Sequence, residues 1–329
     1  MKQPPIPRQH IFDLYWYFAS ERQQIFEKRR AGQVAPWTDD PILQKYKFCN
    51  VFRATDRVSQ YMIREVCYRT EDCTPEDRLM QIIAFRLFSR IDTWDTVRDF
   101  LGCSPTIPDL IDGRFTAALE YANERNGGLY TNAFILCATN AYGQPRKYLT
   151  HIELLRDMFI NHQLAKNLLT ASSLHEVYDL LHAFPLMGDF MSYQTAIDLN
   201  YSTLINFSEN SFTQPGPGAL RGMKKVFESL GDYSPAETIL WMVEQQNAAF
   251  ARLKLPPATL LGRPLQAIDC QGLFCETDKY CRKAAPELTS ARSRIKATYA
   301  ESNPMMELFL PPKWQHDAAV TSLMRESAA

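Results

Sequence analysis

The chain has 329 residues, 46% hydrophobic and 22% charged, enough apolar material for one large domain or two moderate ones, and reads as a folded, soluble protein. Its 36 basic and 37 acidic side chains leave a net charge of −1, which excludes a chain-wide basic field for nonspecific nucleic-acid binding and leaves any basic face to particular segments. No apolar run approaches the roughly 20 residues that cross a bilayer, and the opening MKQPPIPRQH has neither an apolar h-region nor a small-residue cleavage site, so a cytoplasmic protein with no membrane partner is expected.

In chain order, helical spacing of apolar residues predicts helices over about 10–30 and 50–70. CTPEDRLMQIIAFRLFSR places Thr74 three residues before Asp77, with Pro75 at the first helical position; this is a capping box, which satisfies otherwise unpaired backbone N–H groups. Further helices follow over about 114–126, stopped by Gly127 and Gly128, and over about 151–169. Ser173 with Glu176 repeats the capping box, as do Ser234, Pro235 and Glu237. Helices over about 189–199, 219–230, 273–283 and 287–300 complete the series. No alternating run of β-branched residues predicts more than a hairpin, and no repeat or low-complexity tract is present. The expected fold is all-α in a single domain, where a division near residue 150 would make lobes of about 10–150 and 151–300. The Pro-rich first seven residues and the tail over 312–329 are expected to be loosely held.

Eight cysteines, several in apolar helical patterns such as AFILCATN, fit a reduced compartment. Cys270, Cys275 and Cys281 form C-x4-C-x5-C, which lacks a CxxC pair and a fourth partner, and they read as core or half-buried thiols ahead of a metal or iron–sulfur site. The six histidines are scattered, with no HExxH, and neither a metal nor a cofactor is expected.

Four segments carry candidate chemistry. In KYKFCNVFRATDRVSQYMIREV a continuous helix would put Arg53, Arg57, Gln60 and Arg64 on one face, either as a solvated stripe or as a grip on phosphates, with Asp56 orienting an arginine. LLHAFPLMGDFMSYQTAIDLNYS has the outline of a helix-hairpin-helix whose second helix offers free N–H groups to a DNA phosphate. Leu186 stands at the first glycine position, however, and an ordinary helical hairpin is an equal reading. FSENSFTQPGPGALRGMKKVF supplies Gly216 and Gly218 followed by Arg221, Lys224 and Lys225, either a structural turn or an anion site. It is not a GxxxxGK[ST] phosphate loop. Glu209 and Asp198 are the two acids near this turn that would stabilise charge on a sugar or activate a water beside a flipped-out nucleotide. AIDCQGLFCETDKYCRKAAPEL adds Asp278 and Lys279, where helical ion pairs such as Glu276 with Lys279 are the simpler reading.

Taken together, PWTDDPILQKYKFCNVFRATDRVSQYMIREV (36–66), DLNYSTLINFSENSFTQPGPGALRGMKKVF (198–227) and LFCETDKYCR (273–282) resemble the α-glutamyl/putrescinyl-thymine pyrophosphorylase family, over roughly residues 10–285. That family is associated with phage DNA hypermodification and is thought similar to helix-hairpin-helix DNA glycosylases. The resemblance implies an all-α, glycosylase-like enzyme acting on double-stranded DNA that contains modified pyrimidines derived from a 5-hydroxymethyl base. Asn50, Arg53, Asp56 and Arg57 fall on its first motif, Glu209 and 216–219 on its second, and Cys275, Glu276, Asp278, Lys279 and Tyr280 on its third. The glycosylase analogy places the catalytic acid near Glu209, with Glu in place of Asp. Arg53, Arg57, Gly216, Gly218, Arg221, Lys224 and Lys225 are then candidates for DNA phosphates, and Asn50, Asp56, Tyr193, Phe212, Asp278 and Lys279 for the base pocket. Three outcomes are expected in order: a glycosylase giving an abasic site in antiviral defence, a transferase replacing pyrophosphate on the 5-methylene group with an amine or amino acid, and a noncatalytic reader of modified DNA.

Overall fold

Helix-forming sequence and well-made caps dominate the computed structural model, which describes residues 2–131, 140–288, 294–295, 297–300 and 305–314. In chain order the elements are β1 (Ile6–Pro7), α1 (Gln9–Arg30), α2 (Pro41–Lys45), α3 (Arg57–Met62), α4 (Pro75–Phe88), α5 (Ile91–Leu101), α6 (Ile107–Asp112), α7 (Arg114–Asn126), α8 (Lys147–Arg156), α9 (Leu164–Thr170), α10 (Leu174–His182), α11 (Asp189–Tyr201), α12 (Pro217–Val226), β2 (Phe227–Ser229), α13 (Pro235–Leu253), β3 (Thr259–Leu260), β4 (Arg263–Pro264) and α14 (Ala267–Ala284). The all-α expectation holds, and among the described residues the strands form two small antiparallel pairs, β1 with β2 and β3 with β4. The Thr74–Asp77 and Ser234–Glu237 capping boxes form with both halves. A third full box at Thr106–Asp109 and a fourth at Gln266–Asp269 went unpredicted. At Ser173 only the forward half forms, because Glu176 turns to the backbone and hydroxyl of Ser172. Gly127 ends α7 at φ +62°, a conformation glycine adopts freely.

Several predicted spans are corrected. No continuous helix runs over 50–70: a 3-10 turn, Arg53–Thr55, ends at an extended Asp56, then comes α3, which widens into a π turn over Ile63–Cys67. Side-chain carboxylates take the backbone N–H groups of Asn50 and Arg53, an alternative to helical bonding. Arg53 therefore does not share a helix face with Arg57, Gln60 and Arg64. The span 151–169 breaks after a π turn at Asp157–Asn161, with Gln163 left-handed at φ +48°. The helix expected over 219–230 stops at Val226, where the chain becomes β2, and α14 starts six residues before its predicted 273. Of the predicted helix 287–300, residues 287–288, 294–295 and 297–300 are not helical and the rest lie outside the described residues. Cys137, with the rest of AFILCATN except Asn140, lies outside them too.

The chain divides into two units, Met1–Asp56 with Phe212–Leu308, and Arg57–Ser211 with Phe309–Asp317, so the boundaries fall at 56/57 and 211/212 and not near 150. In the first unit α1 packs against α12, α13 and α14. Phe12, Tyr15, Trp16, Phe227, Phe250 and Phe274 form its aromatic core, with Tyr15 and Phe274 centroids 5.0 Å apart. Pro7 and Ile6 pair with Phe227 and Ser229, which holds the Pro-rich start in place. Helices α12 and α14 meet closely through two glycines one turn apart: a Cβ on Gly222 would stand 2.0 Å from the Phe274 carbonyl oxygen, and one on Gly218 2.6 Å from Cys275 Sγ.

In the second unit α11 lies between α4 and α10, and α5 packs on α7. Phe85 stacks on Tyr61 at 5.5 Å and meets Trp94 edge-on at 5.6 Å. Asp198 of α11 and Arg86 of α4 form an ion pair with both side chains enclosed. The tail is anchored as far as it is described: Lys313 Nζ donates to the carbonyls of Asn200, Ser202 and Ile205, and Trp314 packs on Tyr201. Residues 315–329 lie outside the described residues.

Two measurements check this packing. In chemical denaturation Gly222→Ala lowers stability by about 1–3 kcal/mol or more, because α12 must move off the α14 backbone, whereas Gly272→Ala on the open side of α14, with nothing within 4 Å, is neutral or slightly stabilising. Asp198→Asn removes the carboxylate that pairs with Arg86 inside the second unit and costs about 3–5 kcal/mol.

Candidate functional site

Within the first unit, helix α14 holds the early part of the first motif and the α12 part of the second, because its buried acidic side chains each bind a segment distant in sequence. Asp269 accepts from the backbone N–H of Arg53 at 3.0 Å, and Glu276 from that of Cys49 at 3.1 Å. Tyr280 donates its hydroxyl to Asp40 at 2.5 Å, and Asp40 in turn caps α2 through the N–H groups of Ile42 and Leu43. Asp278 is enclosed by three cations, Arg282 at 2.6 Å, Lys225 at 3.1 Å and Arg221 at 3.5 Å. Burial alone would raise the Asp278 carboxyl, but Arg282 and Lys225 outweigh it and hold the group below its ordinary range.

The segment from Cys49 to Asp56 is fixed from both sides. Arg22 Nη2 donates to Asn50 Oδ1 at 2.5 Å, Asn50 Nδ2 donates to the Thr55 carbonyl at 2.9 Å, and the Asn50 backbone N–H donates to Asp56 Oδ1 at 3.0 Å. Asp56 is half-buried, and burial lifts its carboxyl to about 6, against the pull of the Asn50 N–H and Arg22. Cys49 is exposed, yet Glu276 first and then the crowding protein push its thiol well above the usual value. Lys279 bonds Glu276 at 2.7 Å and lies over the Phe48 ring at 5.4 Å; burial would lower its amine, and Glu276 raises it instead. Arg22, Asp56, Glu276 and Lys279 thus form a balanced set of two cations and two carboxylates around an accessible thiol. Such a set suits recognition of a polar, largely neutral group and proton exchange near neutral pH.

The other predicted site residues divide by accessibility. Asn50 has both ends of its amide committed, and Asp278 is enclosed by its cations, so neither presents a free edge. Lys225 is buried and donates to the Asp278 backbone as well, which removes it from the predicted phosphate set, while Lys224 is exposed. Gly216 stands at the N-cap of α12, and Gly218 serves the α12–α14 contact. Phe212 and Arg53 are half-buried. In the second unit Arg57 is exposed at the start of α3, whereas Tyr193 and Asp198 are wholly enclosed, Asp198 in its pair with Arg86. That enclosure corrects Asp198 as a group for activating water. Glu209 follows α11 in a turn and is 5% exposed. Between α10 and α11, Leu186 takes φ +70° and Gly188 forms the N-cap of α11. Cys270 and Cys281 are core thiols and Cys275 is half-buried, its thiol pushed by burial up to about 12.

Sequence reasoning missed Arg22 and a site role for Cys49. Arg22 carried a signal: with Tyr15, Phe18 and Ile25 it falls at steps of three, four and three on the buried face of α1, where a charge needs a partner.

Comparison with known proteins adds the family. Residues 9–290 match the model described as 5-hmdU DNA kinase, helical domain. A relative, the 5-hmdU DNA kinase of Bacillus phage SP10, is 27% identical over 308 residues, covering 87% of this chain and 47% of the relative, so the chain spans about half of that protein. No solved structure matches. With most of its length inside the family model, the chain belongs to the 5-hmdU DNA kinase helical-domain family.

Proposed function

We propose that this chain is an enzyme acting on a 5-hydroxymethylpyrimidine-derived base in double-stranded DNA, and that it excises the base. Its family and its relative are named for a kinase of 5-hmdU in DNA, which supports a modified base as the substrate class. These 329 residues contain no GxxxxGK[ST] loop for a nucleotide triphosphate.

The observation that carries excision is the hairpin before α11. Leu186 is held at φ +70°, a conformation that costs a branched side chain about 1–2 kcal/mol and persists only where the surroundings demand it. The turn thus keeps a glycine-type geometry without the glycine, and Gly188 forms the N-cap of α11, in keeping with a helix start that receives a phosphate. Glu209, 21 residues beyond Gly188, is the acid assigned to the reaction. Its carboxylate stabilises the cationic sugar as the C1′–N bond breaks, takes a proton from the water that attacks C1′, and returns it to the departing base. Removal of a hypermodified base from phage DNA would serve antiviral defence.

A second reading, substitution at the 5-methylene group as the pyrophosphorylase resemblance implies, draws support from Asp56. A half-buried carboxyl near 6 is suited to take a proton from an attacking amine.

Incubation with DNAs carrying 5-hydroxymethyluracil, 5-hydroxymethylcytosine, their glucosylated forms or pyrophosphorylated thymine, followed by mass spectrometry, separates these outcomes. Free modified base and alkali-labile DNA are expected, with Glu209→Gln slowing release at least about a hundredfold while DNA binding persists. Pyrophosphate release that depends on an added amine, with the sugar–base bond intact, would replace excision by substitution. Binding and biological effect both surviving Glu209→Gln would leave only a reader.

A further inference from the structure

We infer that Leu261 is a wedge that enters the base stack of duplex DNA, an inference that rests on duplex DNA being the partner and not on the excision step. Every residue involved lies in the first unit. Leu261 and Gly262 form the two-residue turn between β3 and β4, at φ +50° and +85°. A turn with both central residues left-handed is the home of Asn, Asp and Gly, because a larger side chain crowds its own backbone there. Leu261 is nonetheless 62% exposed, and a Cβ on Gly262 would meet nothing within 4 Å, so the tip stands in solvent. A leucine that is both strained and mostly in water serves neither the turn nor the core, which points to a use outside the fold.

The base of the hairpin is fixed. Thr259 pairs with Pro264 and Leu260 with Arg263, and Ala258, Leu260 and Leu265 are buried. Gln246 of α13 accepts from the Leu265 N–H at 2.9 Å and donates to its carbonyl at 3.2 Å, while Gln23 of α1 donates to the Thr259 carbonyl at 2.9 Å. Insertion has to separate two stacked base pairs, so a wedge needs a support that does not give way. Ser20 Oγ donates to the Pro256 carbonyl at 2.8 Å, one turn before Gln23, so the strand advances along α1 toward its last turn, which carries Lys28, Arg29 and Arg30. Glu27, the acid in that stretch, is paired with Arg30. Arg263 follows the tip, and exposed Lys254 precedes the strand. Phosphates beside an opened base step would thus meet cations. A lone leucine on a narrow turn is far smaller than the apolar patches that dock proteins, and leucine is among the side chains that proteins insert between base pairs.

The test uses the full chain and short duplexes without a modified base, in which 2-aminopurine replaces adenine at pyrimidine–purine steps, where unstacking is easiest. At saturation the 2-aminopurine fluorescence is expected to rise about twofold, and a duplex with one abasic step to bind about tenfold more tightly than the paired one, since its stack is already open. Leu261→Asn, which suits the turn, is expected to melt at the native temperature or above it and to hold paired DNA within about twofold of the native affinity. It loses both the fluorescence rise and the abasic preference, whereas Leu261→Met keeps them. Signals that survive Leu261→Asn, or that the native chain lacks while binding the duplex, overturn the wedge and leave the DNA reading standing. A Leu261→Asn chain that melts well below the native one shows that the leucine serves the fold, and overturns it too. Self-association abolished by Leu261→Asn, with the fluorescence unmoved, makes the tip a contact between copies instead. No binding to any duplex overturns the wedge and the DNA reading together.

Discussion

The first unit depends on three buried carboxylates spaced along one helix. Asp269, Glu276 and Asp278 of α14 are each less than a tenth exposed, and ionised side chains so placed are costly to desolvate unless they are bonded. Each finds its partner far away in sequence: the Arg53 N–H, the Cys49 N–H, and the cations of α12. A charge-assisted hydrogen bond of this kind is worth about 1.5–3 kcal/mol, and losing one costs more than that because the charge stays behind. Helix α14 is therefore stable in place only when the 49–56 segment and α12 are docked on it. The close glycine contact of α12 with α14 serves the same end, since it brings Lys225 within 3.1 Å of Asp278.

The same chemistry explains why two acids of one unit titrate in opposite directions. Asp278 is pulled down because Arg282 and Lys225 bond it directly and outweigh its burial. Asp56 receives a single backbone N–H and feels Arg22 only at a distance, so burial wins and its carboxyl rises to about 6. Direct ionic partners at Asp278, and burial with few partners at Asp56, set the two directions. The network that makes α14 rigid thus leaves one acid under-bonded in an otherwise satisfied segment, which is the usual mark of a group kept for use.

What the sequence revealed and concealed follows from the range of the forces involved. Local signals were legible: Thr74 and Ser234 announced helix starts, Gly127 announced a stop, and the 182–189 turn lay where its composition put it. The break in the predicted helix over 50–70 was not legible, because the carboxylate that takes the Arg53 N–H lies 216 positions away. Lys225 looked like a surface cation beside Lys224, and only the fold turns it inward onto Asp278. Gly218 looked like a phosphate-turn glycine and proves to be a contact point between helices. Within the candidate site, Asp56 and Lys279 were marked by the motifs, whereas Arg22 acquires meaning only once Asn50 is seen beside it.

This inward turn of the cations also bears on the choice between excision and substitution. Holding a diphosphate leaving group calls for several free cations at one point. The sequence offered Arg221, Lys224 and Lys225, but Lys225 is committed to a buried carboxylate. Withdrawing it would leave Asp278 less compensated at a cost of several kcal/mol, about what a bound phosphate would have to repay before contributing any affinity. Arg221, at 3.5 Å from the same carboxylate, is partly drawn in as well, and only Lys224 is fully turned to solvent. Excision asks for no such cradle. It needs an acid near the sugar and a way to hold the displaced base, and the spending of the α12 cations on α14 favours it on that ground.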